Sequence, residues 1–247
     1  MDSNQQFKEA AARQTTGNII MLFLVMLLWG LILSALEGFP AMLLQGQIGT
    51  VDSFEALADV VLDNIAVLAL AGLVMLAFVV LAGGIMEYGM IANQRRMFER
   101  KEATIDAGFS GFRRPGISIG TFFMRELRLF LWFLIPIAGL VIVFIKYYAY
   151  ACAFYTVEED SAETANGAIS RSVAMMDGKK FQLFCLDVYY FFMWYVLLGT
   201  ITFGIALVWG IPRHNQARYN FYQAAKTDRE RQSSGLQPVA EGPKKYY

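Results

Sequence analysis

The chain has 247 residues, balances 21 Lys and Arg against 21 Asp and Glu, and is 56% hydrophobic but only 17% charged. Average soluble domains carry about 25% charged residues, so the apolar excess marks surface meant for lipid, and no nucleic-acid partner is expected. Four apolar runs (18–36, 65–86, 129–145 and 181–212) leave little polar sequence in which to encode a reaction. Each is at or near the roughly 20 residues a helix needs to cross about 30 Å of hydrocarbon. The expected fold is therefore an all-α, polytopic transmembrane helical bundle.

In chain order, residues 1–17 are polar and lead into the first run, which is longer than a secretory h-region; they read as a cytoplasmic segment before an uncleaved first span. The following loop, 37–64, has no Lys or Arg but carries Glu37, Asp52, Glu55, Asp59 and Asp63. Within it Asp52 and Glu55 form a capping pair ahead of Phe54, Leu57, Ala58 and Val61, which share one face of an interfacial helix. After the second run the sequence turns basic, with Arg95, Arg96, Arg100, Lys101, Arg113, Arg114 and Arg125, and the tail after Pro212 is basic again. Positive charge stays on the cytoplasmic side, which puts both termini and the 87–128 loop inside and the acidic loop outside.

The number of crossings is left between four and six. The third run allows one kinked helix or two turning at Pro136 to Gly139, and the fourth breaks at Gly199 to Gly204. Six crossings keep Arg171, Lys179, Lys180 and Glu163 inside; four put them outside. A further helix is expected over 161–177, started by Asp160 or Ser161 and stopped by Gly178. The two longest polar stretches, 87–128 and 157–180, are each too short for an independent core, so one membrane domain (18–226) precedes a disordered cytoplasmic tail (227–247).

Two constellations stand out. Lys146 and Asp187 interrupt apolar sequence at matched depth on consecutive helices and form a candidate intramembrane charge pair. The basic residues Arg95, Arg96, Arg100, Lys101, Arg113 and Arg114 are candidate contacts for anionic lipid headgroups on the cytoplasmic side, beside their role in setting topology. Arg125, Glu126 and Arg128 read as an interfacial anchor, and the aromatic stretches 147–155 and 189–195 as belt and packing residues. Cys152 and Cys185 lie in apolar surroundings and read as buried thiols; His214, the one histidine, has no Cys or carboxylate cluster in nearby sequence. No phosphate-cradling Gly loop or nucleophile elbow occurs, so no enzyme and no cofactor is expected.

The stretch AISRSVAMMDGKKFQLFCLDVYY (168–190), followed by GTITFGIALVW, Pro212 and Asn220-Phe-Tyr, resembles a bacterial family of integral membrane proteins known only as domain of unknown function nine-seven-five. Gly108-Phe-Ser-Gly-Phe, Leu131-Trp and Lys146-Tyr-Tyr-Ala-Tyr support the resemblance over about residues 8–222. It implies a multi-span protein of the bacterial cytoplasmic membrane and carries no catalytic residue. The function expected is that of a non-enzymatic accessory or scaffold acting with lipid, a membrane-protein partner or a second copy of itself. The alternative is a small transporter or lipid-handling protein using the Lys146 and Asp187 region.

Overall fold

The computed structural model describes residues 2–45, 62, 65–135, 138–160 and 162–234. The helix expected within the acidic loop and most of the tail lie outside them. The described residues form helices α1 (Asp2–Thr15), α2 (Ile19–Gln45), α3 (Ile65–Phe98), α4 (Ile105–Gly108), α5 (Pro115–Phe133), α6 (Ala138–Tyr150), α7 (Ala153–Glu159), α8 (Ala165–Met175), α9 (Lys180–Tyr190) and α10 (Leu207–Ser233). A 3-10 turn, Ser110–Arg113, follows α4, and α9 runs on through a π-helical stretch, Phe191–Leu198, and a last turn, Gly199–Ile201. Three helices are long and apolar enough to cross a membrane (Ile65–Phe98, Gly139–Glu159 and Lys180–Ile201), and the pair Asn4–Thr15 and Ile19–Ser34, bent by 87°, makes a fourth candidate.

Burial is distributed unevenly along these helices, and that decides the architecture. In the most apolar stretch of α3 only 6% of residues are buried, and Leu70, Leu73 and Leu76 are each at least 64% exposed. The interior sits instead at the polar ends. Phe7 and Ala11 of α1, Tyr88 and Ile91 of α3, Phe154 and Tyr155 of α7, Met175 of α8, Leu183 and Leu186 of α9 and Tyr219, Phe221 and Tyr222 of α10 pack into one cluster. The molecule is thus a packed helical body from which apolar arms project. The 87–128 and 157–180 stretches build no separate unit; they close this shared body.

The breaks follow from local chemistry. Phe203 and Gly204, with φ of 50° and 88°, turn the chain between α9 and α10. Gly178, at φ 71°, ends the α8 segment, which Thr164 starts by accepting a hydrogen bond from the Gly167 amide at 3.1 Å. α5 and α6 are two helices packed as a hairpin. Between α6 and α7 the Cys152 amide donates to Ser172 Oγ at 3.0 Å, which replaces the helical bond the break removes, and Ser172 Oγ donates to Ala149 O at 2.8 Å. Cys152 and Cys185 are free thiols, the first buried and the second half-buried.

Candidate functional site

The first site lies where α3 passes from apolar to polar sequence. α3 ends at Phe98, and Arg100, at φ 60°, reverses the chain. Asn93 then holds the returning strand at both of its amide atoms: Nδ2 donates to Thr104 O at 3.1 Å and Oδ1 accepts from Thr104 N at 2.9 Å. Thr104 in turn caps α4. Gly89 and Gly111 are needed because the chain crosses α3 at backbone contact, and a Cβ at either would lie under 3.0 Å from a carbonyl oxygen of the facing segment; a Cβ at Gly108 would instead meet the Val25 side chain of α2. Between the glycines, Phe109 stacks on Trp29 of α2 at 4.9 Å, Phe112 extends the stack at 6.0 Å, and Trp29 Nε1 donates to Gly108 O at 3.1 Å. The Gly-Phe-Ser-Gly-Phe motif therefore clamps α2 to α3.

This clamp walls an open cleft of about 360 Å³ lined by Tyr88, Arg95, Arg96, Lys101, Arg113 and Arg114 among others, with Glu99, Asp106 and Glu158 between them. Most of its charges are locally paired: Arg95 to Glu99 at 2.9 Å and to Glu158 at 3.3 Å, Lys101 to Glu99 at 2.6 Å, and Arg113 to Asp106 at 2.6 Å. Arg96 Nε donates to Glu102 O at 2.9 Å, and Arg114 reaches Tyr88 Oη at 3.1 Å and Val157 O at 3.3 Å. Lys101 first, then Arg95, hydrogen-bond the Glu99 carboxylate and hold it below its ordinary pKa. Arg100 faces a neighbouring cleft of about 280 Å³ with Arg13, Gln14 and Asn18. The six basic residues singled out in the sequence are thus brought to one end of the molecule, and acidic neighbours share their charge.

The second site corrects the expected charge pair: Lys146 and Asp187 do not meet. Asp187 Oδ1 hydrogen-bonds His214 Nε2 at 2.8 Å, and Arg218 Nε stands 3.5 Å from the same oxygen without a directed hydrogen bond. The Lys146 ammonium lies over Trp132, 5.0 Å from the ring centroid. Helical phase explains this. Phe144 and Tyr148, four residues apart, turn toward Phe184 of α9 at 5.5 and 5.9 Å, whereas Lys146, between them, points about 160° away toward α5. The His214 ring is stacked on Tyr190 at 4.9 Å and met by Tyr195 at 6.2 Å, and the π-helical stretch starts one residue after Tyr190. His214 is the partner that sequence reasoning missed; its one signal is its place on the return limb of the Gly199 to Gly204 hairpin.

Two further polar contacts organise the helix ends. Arg125 forks onto Glu87 at 2.5 and 2.7 Å, which ties α5 to α3 at the apolar boundary. Glu159, at the end of α7, accepts from Tyr222 Oη at 2.9 Å, from Lys226 Nζ at 2.5 Å and from Gln223. Among the described residues no group of three or more His, Cys, Asp or Glu has the arrangement of a metal site.

Residues 114–229, from α5 through most of α10, match the family described as Protein of unknown function (DUF975). The match covers 116 of the 247 residues, a little under half of the chain. No match was found among curated proteins or among solved structures. The DUF975 match takes in both helical hairpins, the Asp187, His214 and Arg218 cluster and the Glu159 lock. The Gly-Phe-Ser-Gly-Phe clamp precedes it.

Proposed function

We propose that the protein is a non-enzymatic accessory or scaffold protein of the bacterial cytoplasmic membrane, working through lipid, a membrane-protein partner or a second copy. The observation that supports this reading is the bareness of α3: 6% burial over its most apolar stretch leaves nearly every face of a span-length helix to be covered from outside the chain. In this reading α2, α3 and the α9 limb cross, and the chain returns along α10. The α5 and α6 hairpin dips in and returns, because α5 continues only about 12 Å beyond Arg125, less than half of the roughly 30 Å a crossing needs. That arrangement keeps both termini, the 87–128 loop and α8 on the cytoplasmic side, and so combines four passages of the membrane with the internal Glu163 of a six-crossing chain.

Photo-crosslinking residues placed at Leu73 and Leu76 test the reading. Adducts to lipid, to a second copy or to one discrete partner are expected. Crosslinks back to α9 or α10 of the same chain would mean that the arms close into an ordinary bundle, and the reading would fall. One observation favours a transporter or lipid-handling protein instead: Asp187, His214 and Arg218, with side chains 15 to 19% exposed, gather polar groups within a hairpin of otherwise apolar limbs. Proteoliposome flux abolished by Asp187→Asn would establish that alternative.

A further inference from the structure

Resting on the membrane reading above, we propose that the cleft between the end of α3 and the Gly-Phe-Ser-Gly-Phe clamp is a binding site for an anionic phospholipid, with Lys101 and Arg113 holding the headgroup phosphate. Three independent observations converge there. The first is position. The cleft starts at Tyr88 and Ala92, one turn past Glu87, where Arg125 marks the end of the apolar arm, so its floor lies at the depth of a headgroup phosphate. The second is charge. Five basic residues (Arg95, Arg96, Lys101, Arg113 and Arg114) face three acidic ones (Glu99, Asp106 and Glu158), a surplus of two, and the side chains of Lys101 and Arg113 at the rim are 60% and 68% exposed. Each rim cation is held in place by a carboxylate, Glu99 or Asp106, yet keeps N–H groups for a phosphate oxygen.

The third observation is the apolar neighbour. Ile105 and Phe112, next in sequence to the two partners of the Asp106 and Arg113 pair, are 42% and 57% exposed. Phe112 is not a loose side chain, since it forms the outer ring of the stack on Phe109 and Trp29. An exposed aromatic ring fixed beside exposed Lys and Arg fits the boundary between headgroup and acyl chain, which offers apolar contact and phosphate within a few ångströms of each other. A soluble phosphate would engage the cations and leave Ile105 and Phe112 in water, so the lipid is the occupant that satisfies both halves of the surface.

The test uses the full-length protein in nanodiscs or mild detergent, with native mass spectrometry counting bound phosphatidylglycerol against phosphatidylcholine at low and high salt. Wild type is expected to retain phosphatidylglycerol preferentially, with the preference shrinking as salt rises. Lys101→Gln with Arg113→Gln should lower that preference on the order of tenfold, since each neutralised charge removes a contact with the anionic surface. Ile105→Ser, at a side chain 42% exposed, should weaken retention of the same lipid severalfold at unchanged charge. Unchanged hydrogen exchange over 105–113 in the variants shows that the clamp is intact. An unaltered lipid ratio in the double variant with an intact clamp would overturn the proposal, as would displacement of the lipid by millimolar inorganic phosphate with no response to Ile105→Ser. Loss of the headgroup preference would leave the crosslinking at Leu73 unaffected, so the two readings fail separately.

Discussion

Replacing Gly89 with alanine probes the clamp at its tightest point. In an exposed helix the change would gain about 1 kcal/mol, because alanine has the better helical propensity. Here the new Cβ would meet Gly108 O, well under 3.0 Å away, and Gly108 C behind it. These are backbone atoms, so the 105–113 segment must lift off α3. Lifting breaks the bond from Trp29 Nε1 to Gly108 O and leaves a buried donor unpaired, at a cost of about 1 to 3 kcal/mol. It also separates Phe109 and Phe112 from Trp29, at about 0.5 to 1.5 kcal/mol per ring pair. The two losses exceed the helical gain, and a net destabilisation of roughly 1 to 5 kcal/mol is expected. Gly72→Ala in the same helix is the control, since nothing lies within 4 Å of its added Cβ. Thermal unfolding in detergent, followed by tryptophan emission, should separate the two variants. If Gly89→Ala unfolds with Gly72→Ala and wild type, and its emission is unshifted, the reasoning about backbone contact is refuted.

Four more outcomes are expected. Asp187→Leu alone should destabilise by about 3 kcal/mol by stranding Arg218, and adding Arg218→Met should recover much of the loss, whereas Lys146→Met should be additive with Asp187→Leu in the same unfolding assay. Cysteine labelling in intact cells should reach position 53 from outside, and positions 96, 163 and 233 only after permeabilisation; external labelling at 233 would reverse the orientation. Glu159→Ala should free the C-terminal half of α10 from Tyr222 and Lys226 outward, read as faster hydrogen exchange over 222–233 with the exchange of α3 unchanged. Because Glu99 is held below its ordinary pKa by Lys101 and Arg95, its pairing supports the folded loop at neutral pH and is lost as pH falls through the lowered value; the protection of 99–104 against hydrogen exchange, relative to the intrinsic rate at each pH, should fall on acidification in wild type and not in Glu99→Gln.

Much of the backbone plan was legible in the sequence. The apolar runs, the turn at Gly204, the stop at Gly178 and the division near Pro136 all rest on local rules of length and backbone conformation, which one sequence displays. Pairing was not legible, because it depends on helical phase as well as depth. Lys146 and Asp187 share a depth but sit on faces that do not meet, and His214 acquires meaning only when the hairpin brings it back beside Asp187. α1 was also underestimated. Its inward residues, Phe7, Ala10, Ala11 and Thr15, follow the helical period, yet three of them are too small to raise the hydropathy of a segment rich in Gln, Lys and Arg. The basic residues of 95–114 are plain in the sequence, while their damping by Glu99, Asp106 and Glu158 required contacts across as many as 63 positions.

The meeting of α1 with α10 sets the order of assembly during synthesis. Asn220 Nδ2 donates to Phe7 O, and Gln216 Nε2 donates to Gln14 Oε1, across 213 and 202 positions. In the proposed membrane reading the arms can be handed to the bilayer one after another as they leave the ribosome, but the body at their base stays open until 207–233 has emerged. Through most of translation α1 must wait with Phe7 and its alanines uncovered, dependent on a chaperone or on the membrane surface for shelter. A chain released early, even with every arm inserted, would lack the piece that closes the first helix, which makes this site a natural place for quality-control proteases to distinguish finished from unfinished protein.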